Sequence, residues 1–140
     1  MAARPRLHII TYATLETYHM KAVMMLHSAG AYGLFPTVLG VGEIGSWPEV
    51  LWKKIPFVQK YLTYETQDDD LVLFVDADDV LFVGNRSLTG QLYKDEIIDR
   101  YTALGVDIVF NAETVCAYGS DLSPVLCPAF ERLAGSSAHT

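Results

Sequence analysis

The amino-acid sequence predicts an α/β fold in which a mostly parallel sheet is flanked by helices. Residues 71–75 are five consecutive apolar residues, and residues 106–110 form a similar segment; such runs are typical of parallel strands buried on both faces. A helix predicted over about 87–104 joins the two, which indicates the strand–helix–strand connection of parallel sheets. With 140 residues, 51% of them hydrophobic, the chain holds enough apolar material for one core and is not intrinsically disordered.

The first strand is predicted over residues 6–12, where apolar residues precede a β-branched threonine. A helix is predicted over residues 16–29, ended by Gly30 and Gly33. One apolar stripe of this helix, at three- and four-residue spacing, is predicted to face the core: Met20, Val23, Met24 and His27.

A short second strand is predicted over residues 37–42, where Gly40 and Gly42 permit a sharp turn or a close approach. Residues 47–64 are predicted to be helical in their second part, with Pro56 as a first-turn residue or a kink. The polar side of this helix carries the local basic cluster of the chain: Lys53, Lys54 and Lys60.

The net charge of −7 and the pI near 4.9 disfavour a nucleic acid or an anionic membrane as partner. No apolar stretch approaches the ~20 residues of a membrane span, and residues 7–12 are too short for a signal-peptide core. Cys116 and Cys127 lack the CxxC spacing of zinc sites and are predicted to be free thiols.

The acidic residues are concentrated in one part of the chain. Six aspartates fall within residues 68–79, with no lysine or arginine among them: Asp68, Asp69, Asp70, Asp76, Asp78 and Asp79. The first three are predicted to form a solvated loop, because adjacent carboxylates repel one another. The net negative charge of the chain is therefore predicted to be concentrated mostly at one functional site.

The strongest chemical pattern is the group of carboxylates that follows the strand at 71–75. Asp76, Asp78 and Asp79 lie where open α/β sheets bind ligands, outside the carboxyl ends of the strands. Their mutual repulsion would be relieved by a cation, and hard oxygen ligands favour magnesium, manganese or calcium. The alternative interpretation is that these aspartates cap a turn.

Four segments in the same order resemble the glycosyltransferase domain of the multifunctional procollagen lysyl hydroxylases: IITYATLET at 9–17, LGVGE at 39–43, LFVDADDV at 73–80 and VFNAE at 109–113. The resemblance covers roughly residues 7–127. It implies a GT-A-like, Rossmann-like fold, a UDP-sugar donor, a manganese (or magnesium) ion, and transfer of glucose or galactose to hydroxylysine or its galactosyl derivative on collagen-like chains.

The resemblance also implies roles for single residues. Thr11 and Thr14 would touch the nucleotide, and Asp76 and Asp79 match the two metal-binding positions of the family. Asp78 stands where the family has a tyrosine that helps to hold the nucleotide. This departure leaves a second pair open, because Asp76 and Asp78 form the Asp-x-Asp pattern of other GT-A enzymes.

The resemblance also concerns two more features, the basic cluster and the end of the chain. Lys53 lies near a family lysine that meets phosphate, although the glycines of the preceding family loop are absent here. The family domain continues through a later histidine that completes the metal site, and His139 does not match it.

His8 has no local partner and is predicted to be a packing or surface residue, whereas Glu113 ends a strand near the site. Residues 1–140 are therefore predicted to be one partial domain, the N-terminal nucleotide-binding half.

The leading hypothesis is a metal-assisted glycosyltransferase with a UDP-sugar donor and a hydroxylysine-containing or other protein or glycan acceptor. The alternative is a catalytically inactive nucleotide-sugar-binding or interaction module of the same fold. A phosphoryl-transfer enzyme with an aspartate nucleophile is less consistent with the sequence, which lacks a phosphate-binding loop. Localisation is expected in the cytoplasm if the chain is complete, or in the endoplasmic reticulum lumen if an N-terminal segment is missing.

Overall fold

The computed structural model describes residues 4–14, 22–45, 49–84 and 90–109. Within these ranges, strands and helices alternate along the chain: β1 (Leu7–Tyr12), α1 (Val23–Gly30), β2 (Thr37–Leu39), α2 (Glu49–Glu65), β3 (Leu71–Phe74) and α3 (Gln91–Thr102). The chain divides into two compact units, Met1–Gly105 and Val106–Thr140, and all of these elements belong to the first. In the described ranges no helix combines the length and the apolar character that crossing a membrane requires.

The strands form a parallel sheet in the order β2-β1-β3, so β1 is hydrogen-bonded on both sides. The register pairs Tyr12 with Leu39 on one side and Ile10 with Phe74 on the other. The ladder continues past the end of β1, where the Ala13 N–H donates to the Leu39 carbonyl at 2.9 Å. The predicted α/β class, a parallel sheet flanked by helices, is therefore confirmed.

Helix α1 packs against the sheet region through small side chains. Ala29 lies against Ile9 of β1, and Ala22, just before the helix, lies against Ala77 beyond β3. Met25, between these two alanines in the sequence, is fully buried. Because alanine has a short side chain, the helix can approach the layer beneath it closely and bury a larger neighbour between two such contacts.

The predicted apolar stripe of α1 is wrong in its phase. Val23 and Met24 are 50% and 65% exposed, His27 is also exposed, and Met20 lies outside the described residues. The buried positions are instead 22, 25 and 29. Alanine contributes little to a hydrophobic pattern, so the sequence pattern followed the larger side chains, which remain on the solvent side.

Helix α2 runs from Glu49 to Glu65, so the helix predicted in this region is confirmed and extends further towards the N-terminus than predicted. Pro56 lies in its interior, so of the two roles predicted for it the first-turn position is wrong, and the interior position is where the predicted kink would lie. Proline has no N–H to donate to the carbonyl of Trp52, four residues earlier, so the helix lacks that hydrogen bond. None of the side chains described in α2 is fully buried.

Strand β3 does not have the two-sided burial that its apolar sequence predicts. Its residues are only half-buried, Phe74 is 40% exposed, and β3 lies at an edge of the described sheet. The strand predicted at 106–110 is wrong for residues 106–109, which are exposed and form no strand; residue 110 lies outside the described ranges. Burial depends on the layers around a strand as well as on its composition.

Four other residues singled out in the sequence also lie outside the described residues: Glu113, Cys116, Cys127 and His139.

The segment after β3 is anchored by hydroxyl groups from α1 and from the turn that follows it. Ser28 accepts a hydrogen bond from the Phe82 N–H at 2.9 Å. The Tyr32 hydroxyl donates to the Gly84 carbonyl at 3.1 Å and accepts from the Gly84 N–H at 3.0 Å. Tyr32 in turn stacks on Tyr93 of α3, with ring centroids 5.1 Å apart. The residues between β3 and this anchor are therefore held at both ends.

Candidate functional site

The candidate site lies at the edge of the sheet where the carboxyl ends of the three parallel strands meet. The chain turns there after β1, after β2 at 40–45, and after β3 at 76–79, a segment that we call the acidic turn. Ala13 and Ala77 belong to one buried cluster, so the acidic turn packs against the end of β1. The Val75 N–H donates to the Ile10 carbonyl at 3.0 Å and fixes the same junction. Open parallel sheets bind their ligands at this edge.

Asp76 is the first residue of the acidic turn, and its side chain is 52% exposed. Its Oδ1 accepts a hydrogen bond from the Ala77 N–H at 3.0 Å. The Lys54 Nζ, from α2, lies 3.3 Å from Oδ1 and 3.4 Å from Oδ2. The carboxylate is thus accessible from solvent and is oriented by one backbone donor and one cation.

Asp78 and Asp79 are both exposed and follow Asp76 in the sequence, while Ala77 between them and Asp76 is buried. In the part of the chain that the structure describes, no three histidine, cysteine or acidic side chains come together as a metal-binding group. The acidic turn therefore offers carboxylate oxygens at its surface rather than a closed cage of protein ligands.

Thr11 and Thr14 occupy the end of β1, and both are buried, at 0% and 1% exposure. Among the described residues, the Thr11 Oγ1 has no hydrogen-bond partner. Direct contact between a ligand and this hydroxyl would require the groups that cover it to move. The nucleotide-binding role of both threonines stays a prediction.

Tyr12 fills the space between β1, the Gly40 turn and α2. Its ring lies 5.5 Å from that of Phe57, and Gly40, at φ +77°, leaves no room for a Cβ against the Tyr12 ring. Within the described ranges the buried Tyr12 hydroxyl has no partner. Burial, and next the negative charge of Glu43, raise the pKa of this phenol above its usual value.

The two adjacent lysines of α2 have different surroundings. The Lys53 Nζ donates to the Ile44 carbonyl at 2.8 Å and lies 3.2 Å from the carboxylate of Glu49, one helical turn earlier. Lys54 instead reaches the acidic turn and pairs with Asp76. The structure therefore brings Lys54 into contact with the predicted metal ligand Asp76, while the predicted contact of Lys53 with phosphate stays a prediction.

A family model for the PLOD GT domain matches residues 3–126 of the chain. The chain belongs to this family. It is similar to the multifunctional procollagen lysine hydroxylase and glycosyltransferase LH3 of Homo sapiens and of Pongo abelii, at 26% identity over 121 residues in each case. The match covers 79% of this chain but 14% of each relative, so the chain spans a small part of their length. The resemblance predicted from the four sequence segments is confirmed, whereas the extent of the domain stays a prediction.

In this PLOD GT-domain chain, Asp70 is separate from the acidic turn and lies beside the amino end of β1, at the opposite edge of the sheet. Its side chain is only 5% exposed, with Oδ2 2.6 Å from the Arg6 Nη2 and 3.1 Å from the His8 Nε2. The hydrogen bonds from Arg6 and then from the Gln67 N–H hold the pKa of this carboxyl well below its usual range. The prediction of a solvated loop is therefore wrong for Asp70.

His8 is also more constrained than its sequence context predicts. Its Nδ1 lies 3.0 Å from the Tyr61 hydroxyl of α2, and its Nε2 faces Asp70. The partners are 53 and 62 residues away in sequence, so a search for neighbours along the chain cannot find them. The prediction that His8 has no local partner agrees with the structure, and both of its partners come from distant segments.

The sequence contained a signal for the role of Lys53. Glu49 precedes Lys53 by four residues, and an acidic residue four positions before a lysine forms an ion pair on one helix face. A helix predicted to begin at Glu49 would therefore have indicated the pair of Lys53 with Glu49. The contact between Lys54 and Asp76 depends on how α2 packs beside β3, and no local pattern contains that information.

Proposed function

We propose that this chain forms the donor-binding part of a glycosyltransferase that uses a UDP-sugar and a divalent metal, Mn²⁺ or Mg²⁺. Membership of the PLOD GT-domain family supports the class of activity. The observation that carries the proposal is the accessible Asp76 carboxylate at the carboxyl edge of a parallel sheet, inside the acidic turn.

The residues of the acidic turn fit a hard divalent cation. Their side chains provide carboxylate oxygens, the ligand type that Mn²⁺ and Mg²⁺ prefer. Asp76 would hold the metal together with Asp79 or with Asp78. A surface site of this kind has positions left for the oxygens of a diphosphate, which a closed protein cage would not have.

When bound, such a metal supplies positive charge against the negative charge that develops on the departing diphosphate during sugar transfer. The chain's own residues would then position the donor. The Ala77 N–H donates to the Asp76 carboxylate and orients it. Thr11, Thr14, Asp78 and Lys53 remain the proposed contacts to the nucleotide, and a hydroxylysine-containing or other protein or glycan remains the proposed acceptor.

Isothermal titration calorimetry of the 140-residue chain with UDP, with and without Mn²⁺, tests this proposal. We expect binding that requires Mn²⁺ and that falls at least about tenfold in Asp76→Asn, equivalent to about 1.4 kcal/mol. Asp69→Asn is the matched control, because it removes one exposed carboxylate outside the acidic turn. Binding that is independent of the metal, or an equal loss in both variants, would contradict the proposal.

A binding module without transfer activity is the second candidate. It is favoured by the observation that, among the residues described, the acidic turn is not joined by further side chains into a metal-binding group. The two candidates differ in turnover. Release of free sugar from a UDP-sugar, dependent on Mn²⁺ and absent in Asp76→Asn, would exclude the binding module.

A further inference from the structure

Lys54 of α2 forms an ion pair with Asp76 of the acidic turn. Its amine lies 3.3 and 3.4 Å from the two oxygens of Asp76, and its side chain is 21% exposed, against 52% for its partner. The pair joins the middle of α2 to the end of β3. The lysine is therefore largely covered by protein, while the carboxylate remains open on its solvent side.

This arrangement creates a conflict if Asp76 is a metal ligand. A divalent cation bound to the Asp76 oxygens would lie within a few ångströms of the Lys54 ammonium, and charges of the same sign repel strongly at that distance. The ammonium has no fixed plane and stands on a flexible four-carbon chain, so it can move without moving the helix. A diphosphate arriving beside the metal would give it a new anionic partner.

We propose that Lys54 is the counter-ion of Asp76 in the free protein. When a divalent metal binds the Asp76 carboxylate, the Lys54 ammonium moves away and pairs with the diphosphate of the donor. The inference rests on the proposed function, because it assumes that Asp76 binds a metal. In this role Lys54 is a positioning residue. It weakens the binding of the metal in the absence of nucleotide and strengthens the binding of metal and nucleotide together.

The surroundings of Lys53 explain why its neighbour has this role. The Lys53 amine is already held by the Ile44 carbonyl and by Glu49, at 2.8 and 3.2 Å. These described partners lie outside the acidic turn, so metal binding at Asp76 would not release the Lys53 ammonium. Lys54 is paired with Asp76, a carboxylate that the incoming metal would take over, so metal binding itself would release Lys54.

Binding of Mn²⁺ in the absence of nucleotide, measured by electron paramagnetic resonance, is the first readout. In Lys54→Met, which keeps the apolar length of the side chain, we expect Mn²⁺ to bind about three- to tenfold more tightly than in the natural chain. The second readout is calorimetric titration with UDP at saturating Mn²⁺, where we expect Lys54→Met to bind about three- to tenfold more weakly.

Two further variants separate this role from net charge and from folding. Lys60→Met removes the same charge from an exposed position of the same helix and should leave both affinities within about twofold. Lys54→Arg keeps the positive charge and should restore weak Mn²⁺ binding. Thermal unfolding of each variant verifies that the fold is retained.

The outcomes distinguish this inference from the proposed function. If Asp76-dependent UDP binding is present but Lys54→Met binds Mn²⁺ no more tightly than the natural chain, only the counter-ion role is overturned. If neither the natural chain nor Lys54→Met binds Mn²⁺, both are overturned. If Mn²⁺ binds only once Lys54 is replaced, the counter-ion role is supported.

Discussion

At the scale of single residues, Asp70 shows how a charged side chain can be structural in one part of an acidic segment. Its carboxylate is nearly covered and accepts hydrogen bonds from Arg6, His8 and the Gln67 N–H. These contacts connect the start of β1 to the loop before β3. They stabilise the ionised form, so the pKa of Asp70 is lower in the folded protein than its value of about 3.9 in an unfolded chain.

We expect Asp70→Asn to lower the melting temperature at pH 7, because the ionised carboxylate contributes stability above the unfolded-state pKa. That contribution is lost as the pH falls below about 4 towards the folded-state pKa, so the difference between the two proteins should shrink there. Thermal unfolding followed by circular dichroism between pH 7 and pH 3 measures it. Asp69→Asn serves as control, and equal melting temperatures for Asp70→Asn and the natural chain at pH 7 would contradict the assignment.

Thr11 presents the opposite case, a buried hydroxyl without a partner among the described residues. Thr11→Val replaces the hydroxyl by a methyl group of similar shape, so we expect the free energy of unfolding to rise by about 1 kcal/mol. Thr11→Ser keeps the hydroxyl, removes the methyl, and should lower it by about 0.8 kcal/mol. Urea unfolding of both variants checks the pair, and a clear loss of stability in Thr11→Val would show that the hydroxyl is satisfied.

At the scale of elements, the turn after β2 depends on glycine for two separate reasons. Gly40 and Gly42 both have positive φ angles, +77° and +92°, which cost an L-amino acid about 1 kcal/mol. A Cβ at Gly40 would also collide with the Tyr12 ring, whereas a Cβ at Gly42 has open space. The backbone of the turn therefore lies directly on a side chain of β1.

This difference predicts that Gly40→Ala is more destabilising than Gly42→Ala. We expect a loss of about 1 kcal/mol for Gly42→Ala and at least about 2 kcal/mol for Gly40→Ala, where overpacking adds to backbone strain. Urea unfolding gives both values in one comparison. Equal losses would mean that the Tyr12 ring moves aside at no cost.

The extent to which the sequence predicts these elements differs from one to another. The apolar cluster of β1 and the glycines after β2 lead directly to the observed strand and turn, because they depend on local backbone preferences. The phase of α1 is different, since its contact face consists of alanines, which carry little pattern. The burial of β3 depends on neighbouring layers, and the pairs of Asp70 with Arg6 and of Lys54 with Asp76 depend on contacts between distant segments.

At the scale of the whole molecule, the parallel sheet separates the acidic residues into two groups with different surroundings. Asp70 lies at the amino edge and is neutralised by Arg6, while the acidic turn lies at the carboxyl edge and is paired with Lys54. The clustering of aspartates in the sequence predicted that the net charge of −7 belongs mostly to one site. This prediction is wrong, because the clustered aspartates lie at two opposite edges of the sheet. The carboxylates at the edge where a cation is proposed to bind are those of Asp76, Asp78 and Asp79.

The proposed site for the divalent metal and the UDP diphosphate in this PLOD GT-domain chain is the acidic turn. Anomalous diffraction at the manganese edge, from crystals of the chain grown with Mn²⁺ and UDP, locates the metal directly. We expect an anomalous peak at coordination distance from the Asp76 carboxylate, with density for a diphosphate beside it. A manganese peak beside Asp68 and Asp69 instead, with Asp76 still paired to Lys54, would contradict it.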